Sequence, residues 1–341
     1  MIEEAGIRIE IPEGVFYNPM MRINRDLTEA LVLALGVKSY ADVMAASGIR
    51  GFRIARHNVE VFLNDRSRRA YATILWNAER LGLDVQVSNK DAREFMLEHR
   101  VEFLDLDPFG TPMPFLAYAI DSMPRYLGVT ATDTANLCGK YKHAARKLYF
   151  VSIAKTPFCH EIGLRILLYA IAREAARNDL IIEPILSYSR RHHMRVVVEI
   201  SRAGSSAVEN MLDQIGFFRF DPERYEIEIL EGFSEAYGPI WLGDLGNPYI
   251  LKRLRYEFLS DETRRVLDLL PLDSISPIGY YDLHVLASIL KVSPKKRKEV
   301  IEMLLERGVY AHETHFSTKA IKTVDGEALK EILKARSHMP R

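Results

Sequence analysis

The 341-residue sequence has no excess charge of either sign and is poor in cysteine. Its 46 basic and 46 acidic residues balance, so any surface that attracts nucleic acid must be local. Two cysteines, Cys138 and Cys159, are too few for a disulfide framework and form no CxxC pair. No apolar run approaches the roughly 20 residues needed to span a bilayer, and the acidic start is unlike a signal peptide. We expect a cytoplasmic protein of roughly two domains that contacts no membrane.

Short apolar strands alternate with amphipathic helices through the first half of the chain, which is typical of strand–helix units in a parallel sheet. Residues 7–11 alternate as a short edge strand, and two strands at 181–186 and 194–200 follow a long helix as an antiparallel pair. The sequence therefore predicts a doubly wound α/β sheet, mostly parallel, with an antiparallel edge. Its parallel strands are expected at 40–46, 59–63, 83–87, 101–106 and 126–131.

The strand at 101–106 ends in Asp107-Pro108-Phe109-Gly110, which makes Asp107 the first candidate for chemistry. A polar residue just past the carboxyl end of a central strand lies where ligands bind in such sheets. Acid, proline and aromatic in this order also form the catalytic loop of many methyltransferases that act on a planar exocyclic amine. There the carboxylate of Asp107 and the carbonyl of Pro108 would accept N–H groups, and Phe109 would stack on the ring. The alternative is a simple turn that ends the strand.

Polar residues after the first three strands form a candidate cofactor site. The turn SGIRG at 47–51 lies between a strand and a helix, where backbone can approach a cofactor. Asp65 ends the next strand about 20 residues later, the spacing of an acid that binds ribose hydroxyls. Asp91, beside Ala92, is either an acceptor for an adenine amine or the N-cap of the following helix. Arg25 is either a surface charge or a clamp for a carboxylate.

Sequence blocks along nearly the whole chain resemble the tRNA (guanine-26 N2)-dimethyltransferases of archaea and eukaryotes. The blocks are FYNPMMRINRDLT, SGIRGFR, FLND, NKDA, FLDLDPFGTPMPFL, GVTATDTANLCGKY, FCHEIGLRIL, GPIWLG, YDLHVLASILKVS and THFSTKAIKT. The resemblance implies a class I, S-adenosylmethionine-dependent enzyme that adds two methyl groups to N2 of guanine 26 in tRNA. It implies catalysis by Asp107 and Pro108, base stacking by Phe16 and Phe109, and cofactor contacts from Arg25, Arg50, Asp65, Asp91 and Ala92. Arg53 is a further candidate, and the sequence does not say which of Arg50 and Arg53 faces the cofactor.

The sequence departs from many relatives before the GPIWLG block, where they carry paired cysteines typical of a zinc site. The hairpin at about 215–240 has no cysteine here, so we expect packing of Phe217, Phe218, Phe220 and Tyr225 to hold it. Cys159 and His160 have no neighbouring ligand in the sequence. We therefore expect no metal.

The chain becomes helical from about residue 249, which divides it into a methyltransferase domain, 1–248, and a C-terminal domain, 249–341. Two helices with helix-turn-helix spacing precede a hairpin at 309–323, which predicts an α+β, winged-helix-like domain. Residues 291–341 contain 12 basic and 7 acidic residues, which favours contact with the tRNA backbone. The alternative is a solvated helix face. The candidate tRNA-binding residues are Lys295, Lys296, Arg297, Lys298, His315, Lys319 and Lys322.

Two other functions fit parts of the pattern. The loop chemistry alone also allows another amine methyltransferase, acting on DNA adenine or on a protein glutamine. A third hypothesis is a methyltransferase fold that binds nucleic acid without catalysis. The presence of Asp107, Asp65 and Asp91 argues against it. No obligatory protein partner is expected.

Overall fold

The structure, a computed structural model, describes residues 1–230 and 236–335. It opens with a two-stranded antiparallel sheet of β1 (Ile2–Glu4) and β2 (Ile7–Ile9). The predicted edge strand at 7–11 therefore pairs with the N-terminus and not with the main sheet. A 3-10 turn at Pro19–Met21 leads into helix α1 (Arg22–Ala34), and Asn18 caps this turn by accepting from the amide of Met20.

The centre of the molecule is a seven-stranded sheet, which confirms the predicted fold class. Five parallel strands and a C-terminal antiparallel pair stand in the order β5-β4-β3-β6-β7-β9-β8. The strands are β3 (Ser39–Asp42), β4 (Glu60–Asn64), β5 (Gln86–Ser88), β6 (Phe103–Leu106), β7 (Tyr126–Ala131), β8 (Leu180–Arg190) and β9 (His193–Arg202). The order reverses between β3 and β6, which creates the crevice where such sheets bind ligands.

Helices cover both faces of the sheet, because the strands carry apolar side chains on both faces. In β4, Val61 and Leu63 enter one buried apolar cluster and Phe62 enters the other. Both clusters are continuous with apolar residues of the helices. The helices are α2 (Ile49–Ala55), α3 (Arg68–Leu81), α4 (Ala92–Glu98), α5 (Met113–Asp121), α6 (Thr134–Leu137), α7 (Lys142–Tyr149), α8 (Cys159–Ala176) and α9 (Ser205–Leu212).

A small three-stranded sheet follows, in the order β11-β10-β12, with strands β10 (Ile215–Asp221), β11 (Glu226–Leu230) and β12 (Tyr237–Trp241). Aromatic packing holds it: Phe218 and Phe220 lie 6.2 and 5.1 Å from the ring of Phe158. The hydroxyl of the buried Tyr225 donates to the carbonyl of Tyr280, 3.0 Å away. Residues 231–235 of the predicted hairpin lie outside the described residues.

The C-terminal part has the helix, strand, two helices and hairpin of a winged-helix arrangement. It comprises α11 (Asp261–Asp273), β13 (Tyr281–Asp282), α12 (Leu283–Leu290), α13 (Arg297–Glu306), β14 (Ala311–Thr314), β15 (Ser317–Thr323) and α14 (Gly326–Lys334), with sheet order β13-β15-β14. Helix α10 (Pro248–Arg253), which precedes this arrangement, contributes Leu251, and α11 contributes Leu267, to the same cluster as Leu27 and Leu31 of α1. The predicted boundary at 249 therefore assigns to the second domain two helices that pack on the core of the first.

Within residues 1–230 and 236–335, none of the helices combines the length and the apolar character needed to cross a bilayer.

Candidate active site

A cavity of about 460 Å³ opens beyond the carboxyl ends of β3, β4 and β6. This edge collects the loops that follow parallel strands, so side chains far apart in the sequence meet there. Nine candidate residues of the sequence line the cavity: Phe16, Arg25, Arg50, Asp65, Asp91, Ala92, Asp107, Pro108 and Phe109.

Asp107 follows β6 directly, and a buried guanidinium holds its carboxylate. Arg50, in the first turn of α2, contacts Asp107 Oδ2 and lies 3.1 Å from Asp105 and 3.6 Å from Asp42. Only 8% of Arg50 is exposed. Burial lowers the pKa of Arg50, but the carboxylates outweigh it and raise that pKa well above its ordinary value. Arg50 therefore stays charged and fixes one oxygen of Asp107, while Oδ1 forms no hydrogen bond with a described residue.

Asp105 and Arg195 form a second, fully buried pair behind Asp107. Both carboxylate oxygens of Asp105 accept from Arg195 at 2.8 Å, and Arg195 also donates to the hydroxyls of Thr28 and Thr130. Burial raises the pKa of Asp105, but Arg195 and Arg50 outweigh it and hold the pKa low. Three carboxylates thus share two guanidiniums.

The excess of one carboxylate over the guanidiniums affects the pKa of Asp42. It is almost fully buried, and burial raises its pKa to about 7, while Arg50 acts in the opposite direction. The carboxylates of Asp105 and Asp107 add to the increase. When Asp42 holds a proton, which it can do near neutral pH, the negative charges of Asp105 and Asp107 balance the positive charges of the two guanidiniums.

The turn between β3 and α2, which contains the predicted SGIRG segment, is tight. Gly48 has a φ of +78°, and a Cβ atom there would come within 2.8 Å of the ring of Phe52. Asp65 closes the turn, because its carboxylate accepts from the amides of Ala46 at 2.9 Å and Ser67 at 2.8 Å. A carboxylate with two oxygens retains further lone pairs for hydroxyl groups. Asp65 is thus fixed in the cavity wall as an acceptor.

Asp91 is the N-cap of α4, which confirms one of the two interpretations from the sequence, while its role as acceptor for an adenine amine stays a prediction. It caps α4 by accepting from the amide of Arg93 at 3.0 Å and pairs with that side chain at 2.8 Å. The same carboxylate lines the cavity together with Ala92, which is buried.

Phe16 and Phe109 meet at the mouth of the cavity. Their ring centroids are 4.7 Å apart and their planes cross at 85°, and the two side chains are 48% and 77% exposed. Holding a base between parallel rings needs two layers of about 3.5 Å, or roughly 7 Å. The two rings therefore have to separate before a base enters between them.

The structure decides between the arginines of SGIRGFR. Arg50 faces the cavity, whereas Arg53 is fully buried and donates to Glu4, Asp26 and Glu29 at 2.6–2.7 Å. Asp26 also accepts from residues at the start of α11, so Arg53 joins α1 to the C-terminal part.

Arg25 lines the cavity, but its guanidinium is already occupied. It pairs with Glu4 at 2.6 Å and donates to the carbonyl of Asn18 at 3.2 Å. Burial raises the pKa of Glu4, but Arg25 and Arg53 outweigh it and bring that pKa to about 2. Any anionic ligand of Arg25 has to share it with this carboxylate.

A family model described as N2,N2-dimethylguanosine tRNA methyltransferase matches residues 1–334. The chain belongs to this family.

Individual relatives agree with the family model. A tRNA (guanine(26)-N(2))-dimethyltransferase of Methanocorpusculum labreanum is 37% identical over 337 residues, covering 92% of this chain and 89% of the relative. The enzyme of the same description from Pyrococcus furiosus is 38% identical, covering 94% of each chain. A solved complex of Trm1 from Pyrococcus horikoshii with S-adenosyl-L-methionine superposes with a TM-score of 0.89 and 35% identity, covering 97% of this chain and 98% of that one. The class I methyltransferase fold predicted from the sequence is therefore confirmed.

Within this dimethylguanosine methyltransferase, two predicted tRNA contacts are wrong because they are buried against the methyltransferase domain. Lys322 is 1% exposed and pairs with Glu161 of α8 at 2.8 Å. His315 lies 2.6 Å from Asp273 through Nδ1, and its Nε2 accepts from the amide of Ser189 at 3.3 Å. The hairpin of the winged-helix domain thus docks on the catalytic domain.

The remaining predicted tRNA contacts differ in their surroundings. Lys296, Lys298 and Lys319 are exposed, Lys295 is half-buried, and Arg297 pairs with Glu313 at 2.8 Å. Lys296 and Lys298 form no ion pair with any residue in 1–230 or 236–335. The charge run at the start of α13 therefore leaves these two ammonium groups open to solvent.

The two cysteines of the chain meet, which the sequence did not indicate. Cys138, Cys159 and His160 place one ligand atom each within 4.8 Å of the others, and Cys138 Sγ lies 4.0 Å from His160 Nδ1. Cys159 and His160 therefore have a neighbouring ligand in the fold, and the expectation from the sequence that they lack one is wrong. A structural zinc site nevertheless uses four protein ligands, and Nδ1 of His160 already contacts the Ser189 hydroxyl at 3.1 Å. The absence of a metal stays a prediction.

Three charged residues of the cluster, Asp42, Asp105 and Arg195, were not predicted from the sequence. Asp105 and Arg195 are charged residues within otherwise apolar strands, and such residues are almost never buried unless paired. A charged residue in such a strand therefore predicts a buried partner of opposite charge.

Proposed function

We propose that this protein transfers methyl groups from S-adenosylmethionine to the exocyclic N2 of guanine 26 in tRNA, forming N2-methylguanosine and then N2,N2-dimethylguanosine. Family membership and the printed activity of the relatives support this proposal. The observation that carries it is Asp107, which stands at the carboxyl end of β6 with one oxygen held by Arg50.

Asp107 is the acceptor for the amino group in this proposal. The N2 lone pair of guanine is delocalised into the ring, so N2 is a weak nucleophile until its N–H groups are bound by acceptors. Oδ1 of Asp107 accepts one N–H, the carbonyl of Pro108 accepts the other, and both stabilise the positive charge that develops on N2. After the methyl group is transferred, N2 releases one proton to the carboxylate of Asp107, which passes it to solvent. One N–H then remains, and Asp107 can accept it for the second transfer.

The cavity residues that follow β3, β4 and β5 fit the cofactor. S-adenosylmethionine supplies an electrophilic methyl group on a sulfonium. Asp65, fixed by two backbone amides, would accept from the ribose hydroxyls, and Asp91 would accept from the adenine amine beside the small side chain of Ala92. The tight turn at Gly48 lets backbone approach this ligand. Arg25 and Arg50 supply the positive charge for a carboxylate in the same cavity.

Phe16 and Phe109 would hold the guanine ring. Both are exposed large aromatics at the cavity mouth, where solvated apolar rings are otherwise unfavourable. A flipped base stacks between such rings while its polar edge is bound by fixed acceptors.

The winged-helix part would hold the body of the tRNA, through Lys296, Lys298 and Lys319. Phosphate contacts of this kind position a substrate without reading its sequence. A tRNA substrate places the enzyme in the cytoplasm in this proposal.

The test uses a bare tRNA transcript and purified protein with S-adenosylmethionine. We expect N2-methyl- and then N2,N2-dimethylguanosine at position 26, identified by nucleoside mass spectrometry and abolished by replacing guanine 26 with adenine. Methylation of DNA adenine or of a protein, with none of tRNA, would overturn the proposal.

A further inference from the structure

A stretch of one charge sign lies next to the candidate active site, in a chain with no net charge. Residues 134–160 contain five lysines and arginines and no acidic residue. Four of the five cations lie at 140–147, in and just before α7. The charge balance of the whole chain hides this local excess.

Helix α7 turns all its basic residues to solvent. Ala145 and Tyr149 are buried, whereas the remaining polar positions form two exposed rows with i, i+4 spacing. The first row is Lys142 with Arg146, and the second is His143 with Lys147. We call these four residues, with the exposed Lys140 and Tyr141 before them, the α7 surface.

The charge of the α7 surface is not neutralised by carboxylates of the described residues. None of its lysines or its arginine forms an ion pair with a residue in the described ranges, and Lys140 lies over the ring of Tyr141 at 5.3 Å. Like charges at i, i+4 destabilise a helix. Cations at a helix start also oppose the positive end of its dipole, and no acidic residue stands in the first turn. Arg146 and Lys147 stand in the last turn, where the helix dipole favours cations, but the repulsion between Lys142 and Arg146 remains. An external anion bound between the two side chains would remove it.

The helix is anchored to the loop that carries the candidate catalytic residue. Thr111, four residues after Asp107, donates to the hydroxyl of Tyr149 at 3.0 Å, and that hydroxyl donates to Asp133 at 2.9 Å. Thr132, which lines the cavity, accepts from the amide of Gly110 at 2.7 Å. At 1.5 Å per residue, the eight residues of α7 extend roughly 12 Å from this anchor.

We infer that the α7 surface binds the tRNA phosphates that flank the target guanine, an inference that rests on the proposed function. Unpaired cations interleaved with an exposed aromatic ring are the chemistry that recognises a nucleic-acid backbone with unstacked bases. The anchor to the catalytic loop sets these cations a few nucleotides from the base that enters the cavity. A helix face that is merely solvated usually mixes both signs of charge.

The first test is the double variant Arg146→Glu/Lys147→Glu. The matched control is Lys38→Glu/Arg100→Glu, which changes one exposed lysine and one exposed arginine at the amino ends of β3 and β6, opposite the cavity. We expect the α7 variant to lose at least tenfold in tRNA affinity, and the salt slope of binding to fall by roughly two units. Calorimetric affinity for S-adenosylmethionine and the melting temperature should match the parent.

A milder variant guards against misfolding. If the glutamate pair melts early, Lys142→Gln/Lys147→Gln replaces it and should lower the slope by the same roughly two units. Parental affinity and slope in a folded variant, or an equal loss in the control, would overturn the inference.

The second test asks whether the contacted phosphates flank the target. A tRNA with neutral methylphosphonates on either side of nucleotide 26 should bind the parent more weakly, and Lys142→Gln/Lys147→Gln should then add no further loss. Additive losses would place the contact elsewhere on the tRNA and refute the inference. If the parent makes no methylated guanosine at position 26, the proposed function fails first; if it does and the variant binds like the parent, only this inference fails.

Discussion

The substitution Asp107→Asn should separate catalysis from folding. Asp107 is one of three carboxylates around Arg50, and the others, Asp105 and Asp42, lie 3.1 and 3.6 Å from the guanidinium. Without the charge of Asp107, which helps to raise the pKa of Asp42, Asp42 can release its proton, so that two carboxylates again face the two guanidiniums of Arg50 and Arg195. No buried cation loses its last partner, so we expect the variant to fold with near-parental stability.

The catalytic cost follows from the charge that develops on N2. A fixed group that stabilises such charge in a site shielded from water contributes about 2–4 kcal/mol. At 1.36 kcal/mol per factor of ten, kcat/KM for tRNA should fall about 30- to 1,000-fold. Affinity for S-adenosylmethionine should change little, because Asp65 and Asp91 are unaltered.

The assay is single-turnover methylation of tRNA, with calorimetry for the cofactor and thermal unfolding for stability. Asp105→Asn is the matched control, since it removes the same charge from the same cluster but strands the fully buried Arg195. Breaking a buried pair in this way costs about 3–5 kcal/mol, so this variant should lose stability. Near-parental turnover of folded Asp107→Asn would refute the role assigned to Asp107.

Three further predictions concern the cofactor, the pH dependence and the C-terminal domain. Asp65→Ala should weaken binding of S-adenosylmethionine, because a charged acceptor no longer pairs with ribose hydroxyls; an unchanged Kd by calorimetry would reject this placement. Burial raises the pKa of Asp42 to about 7 from 3.8, so between these values the folded protein holds a proton that the unfolded chain has released. The free energy of unfolding therefore contains a contribution that falls as pH rises through this window. Asp42→Asn should gain Tm relative to the parent between pH 5 and pH 8, and parallel Tm curves would contradict this. Replacing Lys296 and Lys298 with alanine should weaken binding of every tRNA and lower the salt slope by roughly one unit per lost contact; a parental slope would leave both as solvated charges.

The sequence by itself determined the sheet and the edge at which the cavity lies. Apolar strands of the β4 and β6 kind, each followed by a polar residue, identify parallel strands, and the carboxyl ends of such strands meet at one edge. Asp65 and Asp107 could be placed there for that reason. The spacing is local, so no knowledge of tertiary contacts is needed.

Only the tertiary structure decided which charges are free to act. Lys322 and Lys296 look alike in the sequence, yet one is buried against Glu161 and the other is exposed. Arg50 and Arg53 differ in the same way, because one turn of α2 directs Arg50 to the cavity and Arg53 to three carboxylates of the N-terminal region. A sequence shows the sign of a charge, but its burial and its partner depend on packing between segments that are distant along the chain.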